Sequence, residues 1–407
     1  MGEQEETTVA VEDGPGSDPL PEAVPPEATA GEASAGTVEV AGTGEEVVVW
    51  SALGQSVAKP KNDVIGDARG QVLRPNEDRF RIATTDNRLL AAVSDGAGSS
   101  GLCCGAWAQE LVDRLPKTPI GNIRTLDQWM GSFWKSFSEE AKQTVAGQPV
   151  KQTKLVREGS CATLTACWLR KDDERVRMRW LGYGDSPFFL FEWHGEEPVL
   201  TAFHPTTLAK FDLAPHLLNW KDLPQGANLR VGEVSLPGNA TVVLASDGIG
   251  QFLILRFLSH LSSSSSEDPS LNEPSHSLLA EFRRMLTASD TRMTDAARRH
   301  ACGSHMPFAS VLNTLREGLA SEEAFTALVR EWNEQGLLAN DDATVVLIDI
   351  RTLAAAAAER TLAAAAAERT LAAAAAERAD AAAAEANDNL PAEAAVDAES
   401  EFVASGE

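Results

Sequence analysis

The 407-residue chain is poor in whatever would tie it to a membrane, an oxidising compartment or a nucleic acid. Its five cysteines (Cys103, Cys104, Cys161, Cys167, Cys302) are an odd, sparse set that points to reduced thiols in a cytoplasm rather than to a disulfide framework. No apolar stretch reaches the roughly 18 residues needed to span a bilayer, so no membrane partner is expected. The N-terminus lacks the basic n-region and apolar h-region of a secretory signal, and the expected location is cytoplasmic. Lys and Arg number 35 against 60 acidic residues, for a formal net charge of −25. Nothing supplies the basic footprint that nucleic acid requires.

The acidity is unevenly spread. Residues 1–46 carry twelve acidic groups and no Lys or Arg, and residues 351–407 carry eleven acids against four arginines. Only about −6 of the net charge falls in residues 47–350. The N-terminal stretch, rich in Pro, Gly and Ala, cannot bury enough apolar surface to offset chain entropy and reads as disordered. Three copies of Thr-Leu-Ala-Ala-Ala-Ala-Ala-Glu-Arg, at 352–360, 361–369 and 370–378, read as a continuous Ala-rich helix followed by an acidic tail. Its leucines fall on opposite sides of the cylinder, so no coiled-coil seam results and a solvated spacer is expected. The domain proper is therefore placed at residues 47–350.

Within it, strands are expected at Phe80–Thr84, Arg88–Val93, Ala162–Leu169, Val176–Tyr183, Phe188–Trp193, Ala240–Ala245 and Thr344–Ile350. The run from Val176 to Leu181 alternates apolar with charged residues, as does a sheet with one wet face. Helices are expected over Gly105–Leu115, Leu126–Val145, Ser277–Leu286 and Phe308–Gln335, the last closed by Gly336. Strands in runs joined by hairpin-length gaps argue for an α+β fold with antiparallel sheets. The stretch 262–306, which opens on five serines, reads as a mobile insert.

Two apolar runs end in the same tripeptide. Leu89–Val93 leads into Ser94-Asp95-Gly96, and Thr241–Ala245 into Ser246-Asp247-Gly248. Each delivers an aspartate at the carboxyl end of a buried strand, with a glycine behind it. Arg74-Pro75-Asn76-Glu77-Asp78, Gly184-Asp185-Ser186 and Asn340-Asp341-Asp342 complete an ordered acidic set. All-oxygen carboxylate clusters suit Mg²⁺ or Mn²⁺ rather than zinc. His300-Ala-Cys302-Gly-Ser-His305 matches no standard zinc spacing, and Cys103-Cys104 reads as packing.

In order and flanks these five elements resemble the metal-dependent protein phosphatases, the PPM or protein phosphatase 2C family, over about residues 66–350 and in a bacterial style. The resemblance implies an αββα four-layer sandwich, with two antiparallel sheets packed face to face and helices on both outer sides. It implies two Mn²⁺ or Mg²⁺ ions and a weaker third. Glu77, with Asp78 beside it, Asp95 and the Gly96 carbonyl would serve one ion, Asp95 bridging to a second held by Asp247 and Asp341. Asp185 would help hold the third, and Gly159–Thr163 would form the small-residue entry to the preceding strand. Hydrolysis of phosphoserine and phosphothreonine would proceed by in-line attack of a metal-bridging hydroxide, with no covalent intermediate. The implied partners are phosphoprotein substrates and a kinase whose action the enzyme opposes, and the expected state is a monomer.

Two departures stand out. The family places its phosphate-binding arginine four residues before the glutamate, where Leu73 stands; Arg74 is one place late, and a bulge at Pro75 would restore it. Arg69 and Arg79 are the substitutes. Ala97 follows Asp95-Gly96 where some members carry a histidine. A non-catalytic regulatory module of the same fold, or a hydrolase of small phosphoesters, are the alternative readings.

Overall fold

A computed structural model describes residues 46–354 apart from 62–63, 68–69, 74, 86, 173–174, 237, 264–272, 289–290 and 303–305. The expected N-terminal tail, the Ala-rich repeats beyond Ala354 and Arg69 and Arg74 lie outside the described residues.

Two five-stranded antiparallel sheets form the centre. The first runs β1 (Glu46–Val57), β14 (Ala343–Ala354), β13 (Ala240–Ala245), β9 (Phe188–His194), β10 (Glu197–His204). The second runs β12 (Leu229–Leu236), β8 (Arg175–Tyr183), β7 (Leu164–Asp172), β5 (Arg88–Ser94), β4 (Arg79–Thr85). Two short pairs, β2 (Val64–Asp67) with β3 (Gly70–Leu73) and β6 (Cys161–Ala162) with β11 (Leu218–Asn219), sit at the margins.

Successive side chains on a strand face opposite ways, and the burial pattern sorts them into three apolar layers. Leu89, Ala91, Val93, Leu190, Val242, Leu244, Val346 and Ile348 meet between the sheets. The alternate residues Phe189, Phe191, Val243, Val345 and Leu347 face α5 (Asp247–Ser263), α6 (Glu273–Thr287), α7 (Arg292–Cys302), α8 (Phe308–Gly318) and α9 (Glu322–Glu334). Across the molecule Leu90, Ala92, Ala166, Trp168 and Leu181 face α1 (Cys104–Asp113), α2 (Ile123–Gly131), α3 (Trp134–Thr144) and α4 (Pro149–Glu158). This is the four-layer α+β sandwich expected. Strands covered on both faces read as unbroken apolar runs, which is why Phe188–Phe191 and Ala240–Ala245 carry no alternation.

Several local expectations are corrected. Within the mobile insert expected over 262–306, the described residues instead hold two packed helices, Glu273–Thr287 and Arg292–Cys302, with Leu278, Leu279, Phe282, Met293 and Ala297 buried in the outer core; 264–272, 289–290 and 303–305 lie outside the described residues. The single helix expected over 126–145 breaks at Ser132-Phe133, where the Ser132 hydroxyl turns back onto the Trp129 carbonyl at 2.7 Å. The one expected over 308–335 breaks after Gly318; a Cβ there would lie 2.5 Å from Leu328, and Ser321 caps the next helix through the Ala324 N–H at 3.1 Å. Thr352, Leu353 and Ala354 open the first Ala-rich repeat but belong to β14, paired with Val48, Val47 and Glu46. Helix α5 escaped notice because nearly every residue from Gly248 to Ser259 is buried, so it shows no amphipathic period.

Candidate active site

Strands β5 and β13 end next to one another's acidic tripeptides, at one end of the sandwich. There an open cleft of roughly 950 Å³ is lined by Glu77, Asp95, Gly96, Asp185, Asp247, Asp341 and Asp342, among others. Five separate stretches of sequence thus bring their acids to one space. Among its lining residues the basic side chains are Lys59 and Arg292.

The local chain explains the placement. Asp95 leaves β5 with its N–H donated to Thr163 Oγ1 at 2.9 Å, while its carbonyl accepts from the Thr163 N–H at 2.9 Å. The same Thr163 hydroxyl shares a hydrogen bond of 2.6 Å with the Ser186 hydroxyl, which couples the Asp95 loop to Gly184-Asp185-Ser186. Gly184 has φ +100°, a region glycine enters at no steric cost, and a Cβ there would meet Thr163 at 2.7 Å. Glu77 is held from the other side. Its N–H donates to Asp342 Oδ2 at 2.8 Å, and Asp342 Oδ1 accepts the Lys59 N–H at 3.0 Å. Gly98 makes room for the Glu77 carboxylate, since a Cβ at 98 would stand 2.0 Å from its Oε2. Gly96 lets the Glu77 carbonyl and the start of α1 close in, with hypothetical Cβ distances of 2.7 and 2.8 Å. Its own carbonyl accepts the Gly98 N–H at 3.0 Å and keeps a second lone pair.

Asp247 opens α5, where its carboxylate faces the helix N-terminus. Asp341 lies beside it: the charge of Asp341 raises the Asp247 pKa, second only to burial. Asp78 is not a lining residue; it is buried beneath the cleft, and its Oδ2 has no hydrogen-bond partner.

The electrostatics are those of acids crowded together. Burial, then Asp342, pushes Asp78 up to about 7. Burial, then Asp78 and Asp247, raises Asp95 well above the carboxylate range. Burial, then Asp247, lifts Asp185 to about 7, opposed by Arg292, which also acts to lower Asp247. Such mutual repulsion is relieved by protons or by a cation. Among the described residues no three His, Cys, Asp or Glu side chains are drawn together into a ready ligand cluster; the acids face a common space and are joined mainly by repulsion. Their oxygen-only donor set, and the partnerless oxygen of Asp78 behind it, fit hard divalent ions.

The sequence offered three arginines as phosphate-binding candidates. Arg74 and Arg69 lie outside the described residues. Arg79 is occupied, its Nη1 donating to the carbonyls of Asn76 at 2.8 Å and Asp78 at 2.6 Å, so it clamps the Glu77 turn. Arg292 went unremarked, yet it faces Asp185 and Asp247 across the cleft. It is fixed by its neighbours: Thr291 Oγ1–H donates to Asp212 Oδ2 at 2.7 Å and the Met293 N–H to Asp212 Oδ1 at 2.9 Å. The reciprocal Thr291–Thr294 pair that starts α7 is a capping signal that the reading of 262–306 as an insert obscured. His300 is a core residue, donating from Nε2 to the Leu337 carbonyl at 3.1 Å. Cys104 packs under the acidic loop, its thiol donating to the Ala97 carbonyl at 3.2 Å.

No family model matches the chain, and no curated protein does. Among solved structures, similar ones include a serine/threonine phosphatase of S. agalactiae, at 12% identity over 74% of this chain and 98% of that one, TM-score 0.37. PppA of Pseudomonas aeruginosa is 15% identical over 76% of this chain and 100% of that one, TM-score 0.36. The catalytic domain of the serine/threonine phosphatase PstP, solved with two manganese ions, is 16% identical over 75% of this chain and 100% of that one, TM-score 0.33.

Proposed function

We propose that the chain is a Mn²⁺- or Mg²⁺-dependent phosphatase of the metal-dependent protein phosphatase family, acting on phosphoserine and phosphothreonine in proteins. The observation that carries this reading is the convergence of Glu77, Asp95, Asp185, Asp247 and Asp341 on one cleft. Glu77, Asp95 and the Gly96 carbonyl would hold one ion, Asp95, Asp247 and Asp341 a second, and Asp185 a weaker third. Two ions so held would supply an activated water and neutralise charge on the phosphoryl oxygens.

The chain's own residues do the rest. Arg292 presents a planar fork suited to two phosphoryl oxygens, in a cleft whose other described basic lining residue is Lys59. Asp212 holds it in place through the bonds to Thr291 and Met293. Thr163 keeps the Asp95 and Asp185 loops in step. Phe211, Leu213, Pro215 and Leu217 make an apolar wall, and Leu213 is 64% exposed, a surface for the residues flanking a phosphorylated side chain.

The test is phosphate release from an aryl phosphate and from phosphopeptides by the full chain. EDTA should abolish release and Mn²⁺ restore it, with phosphopeptides turned over faster than phosphorylated metabolites. A preference for metabolites would move the assignment to small phosphoesters. No metal-dependent release from any of these substrates would leave a non-catalytic module.

A further inference from the structure

At the opposite end of β5 from Asp95, about 20 Å away by strand length, the sandwich carries a second, oppositely charged recess. This groove of about 380 Å³ is lined by Arg81, Arg88, Lys117, Arg170, Arg177 and Arg179, with Asp172 the single acid among the lining residues and Leu90 and Trp168 in its floor. The sheet register makes the arrangement costly. Arg88 pairs directly with Arg170, and Arg170 with Arg177, so three neighbouring strands set arginines side by side on one face. Like charges directly opposite destabilise a sheet, and a fold selected for stability alone would not collect them. Two acids serve three of these arginines: Asp172 lies 2.8 Å from Arg170 and 3.3 Å from Arg177, and Glu233 lies 2.7 Å from Arg179 and 3.8 Å from Arg177. Among the described residues Arg88 and Lys117 make no ion pair.

We propose that this groove is an intramolecular dock for the acidic N-terminal segment of the chain, residues 1–45. The chain enters the fold beside it. Lys171, which stands between the groove residues Arg170 and Asp172, donates from Nζ to the Val48 carbonyl at 3.1 Å, at the start of β1. Acids begin at once, with Glu45 and Glu39, and no Lys or Arg dilutes them back to Met1. Ten extended residues reach about 33 Å, ample to turn the end of the sheet, and tethering raises the local concentration of the segment to the order of millimolar. The C-terminal stretch leaves Ala354 at the same place, but up to Arg378 its three glutamates are matched by three arginines. Complementary charge over an apolar floor therefore selects the N-terminal segment.

Zero-length carbodiimide cross-linking of the full chain in low salt, read by mass spectrometry, tests this through Lys117, the groove's one amine. The expected product joins Lys117 to an acid within residues 1–45 of the same molecule. Its yield should fall at least about fivefold in 0.5 M NaCl, where charges are screened within a few ångströms. A fall of about threefold should accompany Arg88→Glu, which reverses one charge of the groove. That variant breaks no ion pair among the described residues and gives Arg170 an acid directly opposite, so its thermal midpoint should hold or rise, which separates lost docking from lost folding. Cross-links to residues 379–407, links only between molecules, or no link from Lys117 to a terminal acid would each overturn the proposal.

Discussion

Strand β5 begins on an arginine and leads into an aspartate, and the two ends of the sandwich follow suit. At the far end Asp95 stands among Asp185 and Asp247, burial deepening their repulsion, with the charge of Asp341 beside Asp247. At the near end Arg88 heads a row of arginines at the exposed margin of the sheet face that α1–α4 cover further along. Both ends spend folding stability on like charge, but in different surroundings. Asp95, Asp185 and Asp247 are buried enough for protonation to be affected, whereas Arg170, Arg177 and Arg179 are exposed and are screened by water and salt. Like charge concentrated in a low-dielectric recess demands a partner; like charge spread over a wet surface only invites one.

That contrast can be broken most forcefully at the acidic end. Asp95→Asn and Asp247→Asn should each cut Mn²⁺-dependent phosphate release at least about 100-fold, as removal of a charge-stabilising group in such a site commonly does. In metal-free buffer their thermal midpoints should equal or exceed that of the wild type, because repulsion is relieved. A loss of fold in place of a loss of rate would mean that these acids are structural. Next comes Arg292→Ala, for which steady-state kinetics should show about a tenfold fall in kcat/KM, a change of about 1.4 kcal/mol, and weaker inhibition by inorganic phosphate. Unchanged inhibition would remove Arg292 from the substrate's path.

Acid offers a third probe, between the charged ends. His204 and His300 are buried, each with Nδ1 unpartnered, and burial holds both down to about 4. Between the unfolded value of about 6.5 and that folded value, the unfolded chain binds more protons, so each imidazole costs stability as pH falls through this window. The crowded aspartates act in the opposite sense, so the histidine contribution is read as a difference. From pH 7 to 4.5, urea unfolding should show the wild type losing up to about 3 kcal/mol relative to His300→Phe; parallel profiles would argue against a neutral buried ring. The smallest effect belongs to the basic end. Arg88→Thr, which removes the charge opposite Arg170 and breaks no ion pair among the described residues, should change unfolding free energy by no more than about 0.5 kcal/mol, and upward.

The layers and the acidic end were largely legible in the sequence because both depend on local pattern. Apolar runs ending in Ser-Asp-Gly mark strands that point a carboxylate out of a sheet end, and β5 and β13 do so. Asp78 read as a companion to Glu77, and it is buried against Asp95 rather than lining the cleft; a one-residue step decides which way a side chain faces, and the sequence does not mark the register. Arg292 was hidden for a different reason. Its place depends on α7 packing through Met293 and Ala297 against a core assembled from four other helices, and no short window reports that. The basic row was half visible: the alternation from Val176 to Leu181 marked a wet face, but only the pairing of three strands shows that its arginines are neighbours.

Gly98 gives the acidic end one more property. The Glu77 carboxylate occupies the space where a methyl group would otherwise sit, so the outline of the recess is drawn there by one missing carbon. Gly98→Ala would push that carboxylate aside without altering any charge. It therefore offers a steric handle on Glu77, separating where the acid stands from the fact that it is an acid.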